Sequence, residues 1–219
     1  MGHLLVFNPG DVDAEVKVTL YFEDQPPRAF ALTAPAQRST ETNYTLWPVQ
    51  PNVRFALQVE SSQPVVCQST NGWNNTANDY TPSAKTLSPH GVRECAKSYL
   101  AITTLSRDWY LPDGIVIDQP EEWWVRESEW AVILNPNPLP TEVEMRLYFD
   151  SLLTHTVRVE PQRLACVYMD DIAHRNQHYG VHFRSAQPVA VQWLRAVKWN
   201  QGDELMCYWS VPCAPSLHG

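Results

Sequence analysis

The sequence repeats one block of residues, and this repeat constrains the fold more strongly than any other feature. Residues 4–23 align with residues 131–150 at a constant offset of 127, and seven of the aligned positions are identical. A second segment, SSQPVVCQ at residues 61–68, recurs as SAQPVAVQ at residues 185–192. Because the order of the blocks is kept, the pattern indicates a tandem duplication in which one structural unit is present as two copies.

Both copies show the alternation that is typical of β-strands. In residues 16–22, VKVTLYF, apolar and polar side chains alternate with a period of two, and residues 143–149, VEMRLYF, repeat this alternation. Such a period predicts a strand with one buried and one exposed face. The chain also has 18 prolines, and only residues 89–100 and 170–177 could form helix. The prediction is an all-β protein of two similar antiparallel β-sandwich, jelly-roll-like domains with very little helix.

The repeat also predicts the domain boundaries. We expect a first domain over residues 1–80, a connector over 81–107, a second and more complete domain over 108–212, and a tail over 213–219. In each domain the SSQPVVCQ-like segment is predicted to hold a short turn between a strand and a returning strand, since proline suits the first position of a strand. Copy one has no counterpart of the segment that precedes the Asn-Pro pair of copy two. We therefore expect an open sheet edge in copy one, covered by residues 80–107 or by another chain.

Charge and composition restrict the partners. The 219 residues carry a net charge of -8 with a pI near 5.3, and Lys and Arg are scattered, so no nucleic-acid partner is expected. No apolar run approaches the roughly 20 residues that a membrane span needs, and the N-terminus lacks the apolar core of a signal peptide. The expectation is a cytoplasmic protein without membrane insertion, with its five cysteines reduced.

Four of the nine tryptophans lie in the segment of copy two that copy one lacks: Trp109, Trp123, Trp124 and Trp130. Adjacent residues on a strand point to opposite faces, so one of Trp123 and Trp124 is expected to be exposed. An exposed tryptophan is typical of a ligand platform or of a subunit contact, and both alternatives stay open. Together with the open sheet edge, this pattern predicts a homo-oligomer.

Residues that could form a catalytic or metal site lack the required spacing. His174, His178 and His182 lie four apart, but Gly180 interrupts the helix that would bring them to one face, so no metal site is predicted. The acidic stretch DQPEEWWVRESEW, residues 118–130, holds enough carboxylates for a glycosidase pair, yet nothing fixes two of them at the required separation. Nucleophile motifs and phosphate-binding glycine loops are missing from the sequence. We therefore predict no enzymatic activity and no cofactor.

Several short motifs of copy two resemble the sensory rhodopsin transducer family. These motifs are I-L-N at residues 133–135, a strand ending in Tyr-Phe at residues 148–149, an arginine after a proline at residues 161–163, and P-V-x-x-Q-x-x-R at residues 188–195. Copy two shows the similarity over almost its whole length, and copy one only over residues 4–78. The chain thus resembles a tandem of two family domains, of which the first is incomplete.

The resemblance implies a non-enzymatic domain that binds small polar molecules, with sugars or related metabolites as ligands. The family's namesake is a partner of a bacterial photoreceptor. The resemblance places polar and aromatic family positions on six residues of copy two: Trp109, Asp113, Glu129, Arg163, Gln192 and Arg195. Trp199, which matches Trp73 of copy one, joins this ligand-binding set as the rim of a pocket, with a structural corner as an equal alternative.

Donors, acceptors and flat apolar faces in such a set suit recognition of a sugar ring rather than a reaction. Because Asn71 stands where copy two has Arg195, the site is expected on copy two alone. Two alternatives stay open. Arg163 and Glu129 could instead pair across neighbouring strands, while Gln192 satisfies a backbone group. Exposed aromatic faces could also dock a signalling protein partner or another copy of the chain.

Overall fold

The computed structural model describes residues 2–43, 47, 49, 53–74, 94–100, 102–119, 125–199 and 205–215. Within these residues the chain forms antiparallel β-sheets, and its one helical element is a 3-10 turn at Met169–Asp171. The predicted all-β class is therefore confirmed. Residues 94–100, part of the range 89–100 whose sequence allows helix, form a strand. None of the described residues belongs to a helix that is long and apolar enough to cross a membrane.

Copy one contributes seven of the described strands: β1 (Gly2–Asn8), β2 (Ala14–Phe22), β3 (Arg28–Ala34), β4 (Arg38–Asn43), β5 (Phe55–Ser61), β6 (Val66–Asn74) and β7 (Glu94–Leu100). Strands β4, β1, β6 and β7 form one sheet in that order, called the front sheet, while β3, β2 and β5 form the back sheet. The alternation predicted from the sequence places Val6, Val18 and Leu20 in the buried core between the sheets. Strand β7 pairs with β6, so this part of residues 80–107 extends the front sheet and does not cover β5.

Copy two contains the remaining strands: β8 (Ser106–Ile115), β9 (Ile117–Gln119), β10 (Val125–Asn135), β11 (Thr141–Tyr148), β12 (Leu152–Val159), β13 (Arg163–Tyr168), β14 (His178–Trp199), β15 (Leu205–Pro212) and β16 (Ala214–Pro215). Its front sheet has the order β13, β10, β14, β15, and its back sheet the order β12, β11, β14, β8, with β16 beside β8 and β9 beside β10. The strand order of copy one is thus repeated. In copy two, β8 pairs with the free edge of β14 in the back sheet. The equivalent strand of copy one is β5, and the described part of copy one provides no second partner strand for it.

Strand β14 belongs to both sheets of copy two. Its first part, up to Ser185, pairs with β11, and its residues 190–199 pair with β10. The register with β8 shifts between Arg184 and Val189, where the strand bends from one sheet to the other. In copy one the equivalent residues form β5 in the back sheet and β6 in the front sheet. The predicted returning strand is therefore wrong, because the repeated SSQPVVCQ-like segment crosses between sheets and does not form a hairpin.

The identical Asn-Pro pairs form the same buried corner in both copies. The Nδ2 group of Asn135 donates hydrogen bonds to the carbonyls of Leu139 at 2.9 Å and Val159 at 3.2 Å. Asn8 is equally buried and donates two corresponding bonds at 2.8 Å and 2.9 Å. The asparagine therefore ties the loop that follows its own strand to the end of a back-sheet strand.

The domain boundaries near residues 80 and 108 stay a prediction.

Replacing Asn135 with alanine should destabilise copy two by about 2 kcal/mol or more, because buried carbonyls lose their donor. Urea unfolding followed by tryptophan fluorescence would measure this loss. The exposed residue Asp150, at the turn between β11 and β12, offers a control, and Asp150→Ala should change the free energy of unfolding by less than about 0.5 kcal/mol. Similar losses from both substitutions would contradict the role of the asparagine corner.

Candidate functional site

A carboxylate lies inside the sandwich of copy two. Glu129 of β10 is fully buried, and both of its oxygens accept hydrogen bonds. Oε2 accepts from the hydroxyl of Tyr179 at 2.6 Å and from the backbone N–H of Ile115 at 2.9 Å. Oε1 accepts from the indole N–H of Trp193 at 3.0 Å and from Nε of Arg195 at 2.7 Å. A carboxylate can accept about four hydrogen bonds, so the buried charge is fully compensated.

The bent strand β14 supplies donors to this carboxylate from both sheets. Arg195 lies opposite Glu129 in the register of β10 and β14, and Trp193 lies two residues earlier on the same inward face. Tyr179 comes from the start of β14, in the back sheet. Its ring packs over Gly114 of β8, where an added Cβ atom would lie 2.6 Å from the ring. Glycine at this position therefore allows the close approach that brings the tyrosine hydroxyl to the carboxylate.

Arg195 connects the buried carboxylate to the surface. Its Nη2 donates to the carbonyl of Asp113 at 3.2 Å and lies 4.0 Å from the carboxylate of the same residue. Its Nε lies 3.9 Å from the carboxylate of Glu127. The Nδ1 atom of His178 is 2.9 Å from the Asp113 carboxylate, and both of these side chains are exposed. We call Asp113, Glu127, His178 and Arg195 the rim cluster.

Burial and charge set the protonation of the groups around Arg195. Burial raises the pKa of the Glu127 carboxyl, and the neighbouring Arg195 partly offsets this shift. Burial and the adjacent Glu129 carboxylate raise the pKa of the Tyr179 hydroxyl, which therefore stays a donor at neutral pH. Glu127, Glu129 and Asp113 bring three carboxylates to one arginine, so ionised carboxylates give the site an excess of negative charge. This excess disfavours an anionic ligand.

A second carboxylate fixes β10 beside the site. Asp170 lies in the 3-10 turn after β13, and its Oδ1 accepts the backbone N–H of Glu129 at 3.2 Å. Its Oδ2 accepts the hydroxyls of Ser128 and Tyr168, each at 2.8 Å. The bond to Asp170 fixes the backbone of Glu129, while the four donors described above fix its carboxylate.

The structure brings together three of the seven predicted site residues: Asp113, Glu129 and Arg195. Trp109, by contrast, is fully buried in the core, and its indole N–H donates to the carbonyl of Val189 at 2.9 Å. A tryptophan with no exposed ring face cannot serve as a platform for a sugar ring. Trp109 therefore packs β8 onto the sandwich and does not belong to the rim of polar side chains.

The other predicted site residues are not part of this cluster. Arg163 begins β13 at the far end of β10, six residues from Glu129, which corresponds to about 20 Å. Gln192 lies an odd number of residues from Arg195 on β14, so the two side chains point to opposite faces of the sheet. The side chain of Trp199 lies outside the described residues. Neither Arg163 nor Gln192 contacts the buried carboxylate.

Sequence reasoning missed four residues of the site: Glu127, His178, Tyr179 and Trp193. The two aromatic residues carry no local signal of a polar role, and Tyr179 alternates with Val181 and Phe183 as in a strand with one buried face. A mismatch between the copies could have found them, because Phe55 stands at the position of Tyr179 and Ser69 at the position of Trp193. In both places copy two has a ring that carries a hydrogen-bond donor, where copy one has either a ring without a donor, Phe55, or a small hydroxyl, Ser69. Glu127 and His178 have no comparable signal, since only the fold brings them to Arg195.

Copy one lacks the buried carboxylate, and it also lacks the aromatic and guanidinium groups that donate hydrogen bonds to that carboxylate in copy two. Gly2 pairs with Asn71 at the position where Glu129 pairs with Arg195 in copy two. Phe55 has no hydroxyl to donate. A buried donor without an acceptor costs free energy, and so does a buried acceptor without a donor. The loss of the carboxylate in copy one is therefore matched by the loss of its donors. Within the described residues, the site is therefore a property of copy two alone.

The three regularly spaced histidines do not converge on one point. His178 belongs to the rim cluster, whereas Nε2 of His182 lies 2.8 Å from a carboxylate oxygen of Asp108. The ring of His174 packs against Phe149 with 4.7 Å between ring centroids. In the part of the chain that the structure describes, no group of three or more His, Cys, Asp or Glu side chains is placed to hold a metal ion.

The comparison with protein families agrees with the repeat. A family model described as Anabaena sensory rhodopsin transducer matches residues 2–83 and again residues 105–209. Tandem sandwiches of this kind are therefore two copies of one family domain. The chain belongs to the Anabaena sensory rhodopsin transducer family, which confirms both the resemblance and the tandem duplication predicted from the sequence.

Two solved structures are similar to parts of the chain. The crystal structure of Thermotoga maritima 1070 is 19% identical, with 51% of this chain and 95% of that chain covered and a TM-score of 0.43. The Anabaena sensory rhodopsin transducer is also 19% identical, with 42% of this chain and 89% of that chain covered and a TM-score of 0.38. No curated protein matches the sequence.

Removing Arg195 alone should destabilise copy two, because the charge of Glu129 would stay buried without its cation. We expect Arg195→Asn, which introduces the residue found in copy one, to lower the free energy of unfolding by about 3–5 kcal/mol. Adding Glu129→Gln should recover part of this loss, since the double variant buries no charge. Urea denaturation of the two single variants and the double variant measures the coupling free energy between Arg195 and Glu129. Losses of unfolding free energy that simply add in the double variant would contradict this coupling.

The raised pKa of Glu127 predicts a pH-dependent stability difference. A carboxyl whose pKa is raised by folding binds its proton more readily in the folded state, so its ionised form destabilises the fold once the pH exceeds that pKa. Glu127→Gln should therefore raise the melting temperature at about pH 7.5, and this gain should shrink as the pH falls towards about 5. Scanning fluorimetry across this range measures the gain. Glu142→Gln, at an exposed position of β11, controls for the lost charge, and a gain independent of pH would contradict the prediction.

Proposed function

We propose that this chain is a non-catalytic sensing module whose second copy binds a small polar ligand, a neutral carbohydrate or related metabolite, at the rim cluster. The observation that carries this proposal is the bonding of Arg195 to the fully buried Glu129 beside exposed polar side chains. The family supports a role in sensory transduction, because its description is that of a transducer of a sensory rhodopsin.

The rim cluster offers the groups that hydroxyls require. The carboxylates of Asp113 and Glu127 accept hydrogen bonds from hydroxyl protons, and the ring of His178 and the guanidinium of Arg195 carry donors. Neighbouring hydroxyls of a sugar both donate and accept, so they fit such a mixed set. The excess of carboxylates over arginine favours a neutral ligand over a sugar phosphate or a sugar acid.

The buried part of the site supports binding rather than turnover. Both oxygens of Glu129 are occupied by donors from Tyr179, Ile115, Trp193 and Arg195, so the carboxylate is not available to take a proton from a substrate. Its role in this proposal is to hold the guanidinium of Arg195 in one orientation. A preorganised donor costs less conformational entropy on binding, which strengthens recognition without any reaction.

A thermal-shift screen tests the proposed ligand class. A panel of neutral sugars and polyols would be compared with phosphate and carboxylate derivatives of the same sugars. We expect a neutral member to stabilise the chain, by about 2.7 kcal/mol at 100 times its dissociation constant, and its anionic derivatives to bind more weakly. Stabilisation by anionic sugars alone would contradict the proposed neutral ligand class, and stabilisation by none of the panel would contradict ligand binding and favour the alternative of a protein-docking module.

Calorimetry on variants then tests the position of the site. Asp113→Ala should weaken binding roughly tenfold or more, because it removes a charged acceptor from the rim. Asp108→Ala is a matched control, since Asp108 also joins a histidine of β14 from β8 but lies five residues away along the strand, about 16 Å. Equal losses from the two substitutions would place the ligand elsewhere. Arg195 is unsuitable for this test because its removal leaves the buried charge of Glu129 without its cation and destabilises the fold.

A further inference from the structure

The charges of the rim cluster do not balance. Glu129 and Arg195 form a buried ion pair, since Nε and Nη2 of Arg195 each lie 2.7 Å from Oε1 of Glu129. Asp113 has His178 as its partner at 2.9 Å, and both of these side chains are more than half exposed. Glu127 has neither a cation of its own nor full contact with water, because its side chain is only 17% exposed. Its carboxyl group is therefore the unmatched member of the cluster.

Arg195 attracts Glu127 without forming a hydrogen bond to it. The Nε atom of a guanidinium carries a single hydrogen, and Arg195 directs this hydrogen to Glu129. The distance of 3.9 Å from Nε to the carboxylate of Glu127 is too long for a hydrogen bond. In the part of the chain that the structure describes, no other group donates a hydrogen bond to this carboxylate. A largely buried carboxylate without a donor is unfavourable in its ionised form.

The surroundings of Glu127 favour the neutral form of its carboxyl group. Its neighbours in the strand register are Ile117 of β9 and Val197 of β14, neither of which is a charged residue. Two acidic and two basic groups act on it from the elements around it: Glu129 of β10, Asp113 of β8, and Arg195 and His178 of β14. Burial raises the pKa of the Glu127 carboxyl, and the two acidic groups add to this shift, while the two basic groups oppose it. Loss of contact with water is thus the main cause of the raised pKa.

A ligand on the rim cluster extends this main cause. Arg195 lies 4.0 Å from the carboxylate of Asp113 and 3.9 Å from that of Glu127, so a molecule that contacts the exposed part of Arg195 lies beside both carboxylates. A neutral ligand displaces water from Glu127 and brings no cation in exchange. The ionised carboxylate therefore becomes still less favourable, and the uptake of a proton removes this cost.

We propose that Glu127 binds the ligand as a neutral carboxylic acid, so that binding near neutral pH takes up a proton from the solvent. This inference rests on the proposed function, because it concerns the same site and the same class of neutral sugar. A protonated carboxyl has one O–H donor and keeps acceptor capacity, whereas an ionised carboxylate only accepts. Glu127 therefore donates to an oxygen of the sugar and accepts from a neighbouring hydroxyl, which suits the alternating donors and acceptors of a sugar ring.

Proton uptake gives the affinity a pH dependence of known sign. A carboxyl whose pKa is higher in the complex than in the free chain favours the complex while it is protonated. The affinity is therefore greatest below the pKa of Glu127 in the free chain. It falls, by up to about tenfold per pH unit, as the pH rises from that pKa through the pKa of Glu127 in the complex.

Isothermal titration calorimetry tests the proton uptake. The titrant is the neutral compound that gives the largest thermal shift among glucose, galactose, mannose and myo-inositol, and each titration is repeated in two buffers with different enthalpies of ionisation. We expect the heat of binding to differ between the buffers at about pH 7.5, because the buffer supplies the proton. The dissociation constant should fall as the pH is lowered towards about 6.

Two variants identify the group that takes up the proton. The amide of Glu127→Gln resembles the neutral acid, since it carries donors and an acceptor but no charge. This variant should abolish the uptake and bind the sugar roughly tenfold more tightly than the unmodified chain at about pH 8, whereas loss of a carboxylate that only accepts would weaken binding at every pH. His178→Gln removes the other group of the cluster that titrates near neutral pH, and it should keep the proton uptake whatever its effect on affinity.

The outcomes separate this inference from the proposed function. Binding without proton uptake, uptake that persists in Glu127→Gln, or uptake that disappears in His178→Gln would overturn the inference and leave the ligand site in place. Binding of none of the four compounds would contradict the proposed function and, with it, the proton-linked site. NMR of carbon-labelled glutamate gives a check without ligand, because a Glu127 carboxyl that titrates at or below the ordinary pKa of about 4.3 in the free chain would also overturn the inference.

Discussion

The charge of Glu129 determines much of the architecture of copy two. Among the side chains whose burial the structure describes, it is the only Asp, Glu, Lys, Arg or His that is fully buried, and such a charge is tolerated only when every acceptor position is occupied. Its donors come from β8 through Ile115, from the start of β14 through Tyr179, and from the end of β14 through Trp193 and Arg195. Strand β8, the bend of β14 and the glycine under the tyrosine ring are therefore parts of one arrangement.

Comparison of the two copies separates what the fold needs from what the site needs. The asparagine corner and the alternation of β2 and β11 recur in both, since any sandwich of this topology must close its loops and fill its core. The buried carboxylate and its ring donors occur in one copy. A sandwich with Gly2, Asn71 and Phe55 in their place still forms, so these groups are not required for folding of the unit. This independence from the fold supports the proposal that these groups serve a function.

The sequence predicts the strands and the repeat well because both depend on short-range patterns. Alternation over seven residues predicts which side of β2 is buried without knowledge of its neighbours. The site depends instead on long-range pairing. Whether Gln192 or Trp193 faces the carboxylate is decided by the register of β14, and Arg163 is separated from Glu129 by the length of β10, which no local pattern reveals. The family resemblance places Trp109 in the ligand-binding set, and no local pattern distinguishes a large aromatic ring in a core from one in a pocket.

The duplication also explains why equivalent residues have different environments. Tyr21 and Tyr148 occupy the same strand position, yet Tyr21 is buried and Tyr148 is exposed, and strand β13 of copy two lies against β2, the strand that carries Tyr21. Leu134 of β10, which pairs with β13, is likewise buried, whereas its counterpart Phe7 in copy one is exposed. The proposed ligand site, by contrast, differs between the copies through its residues. Position in the chain thus accounts for one asymmetry, and sequence divergence between the copies accounts for the other.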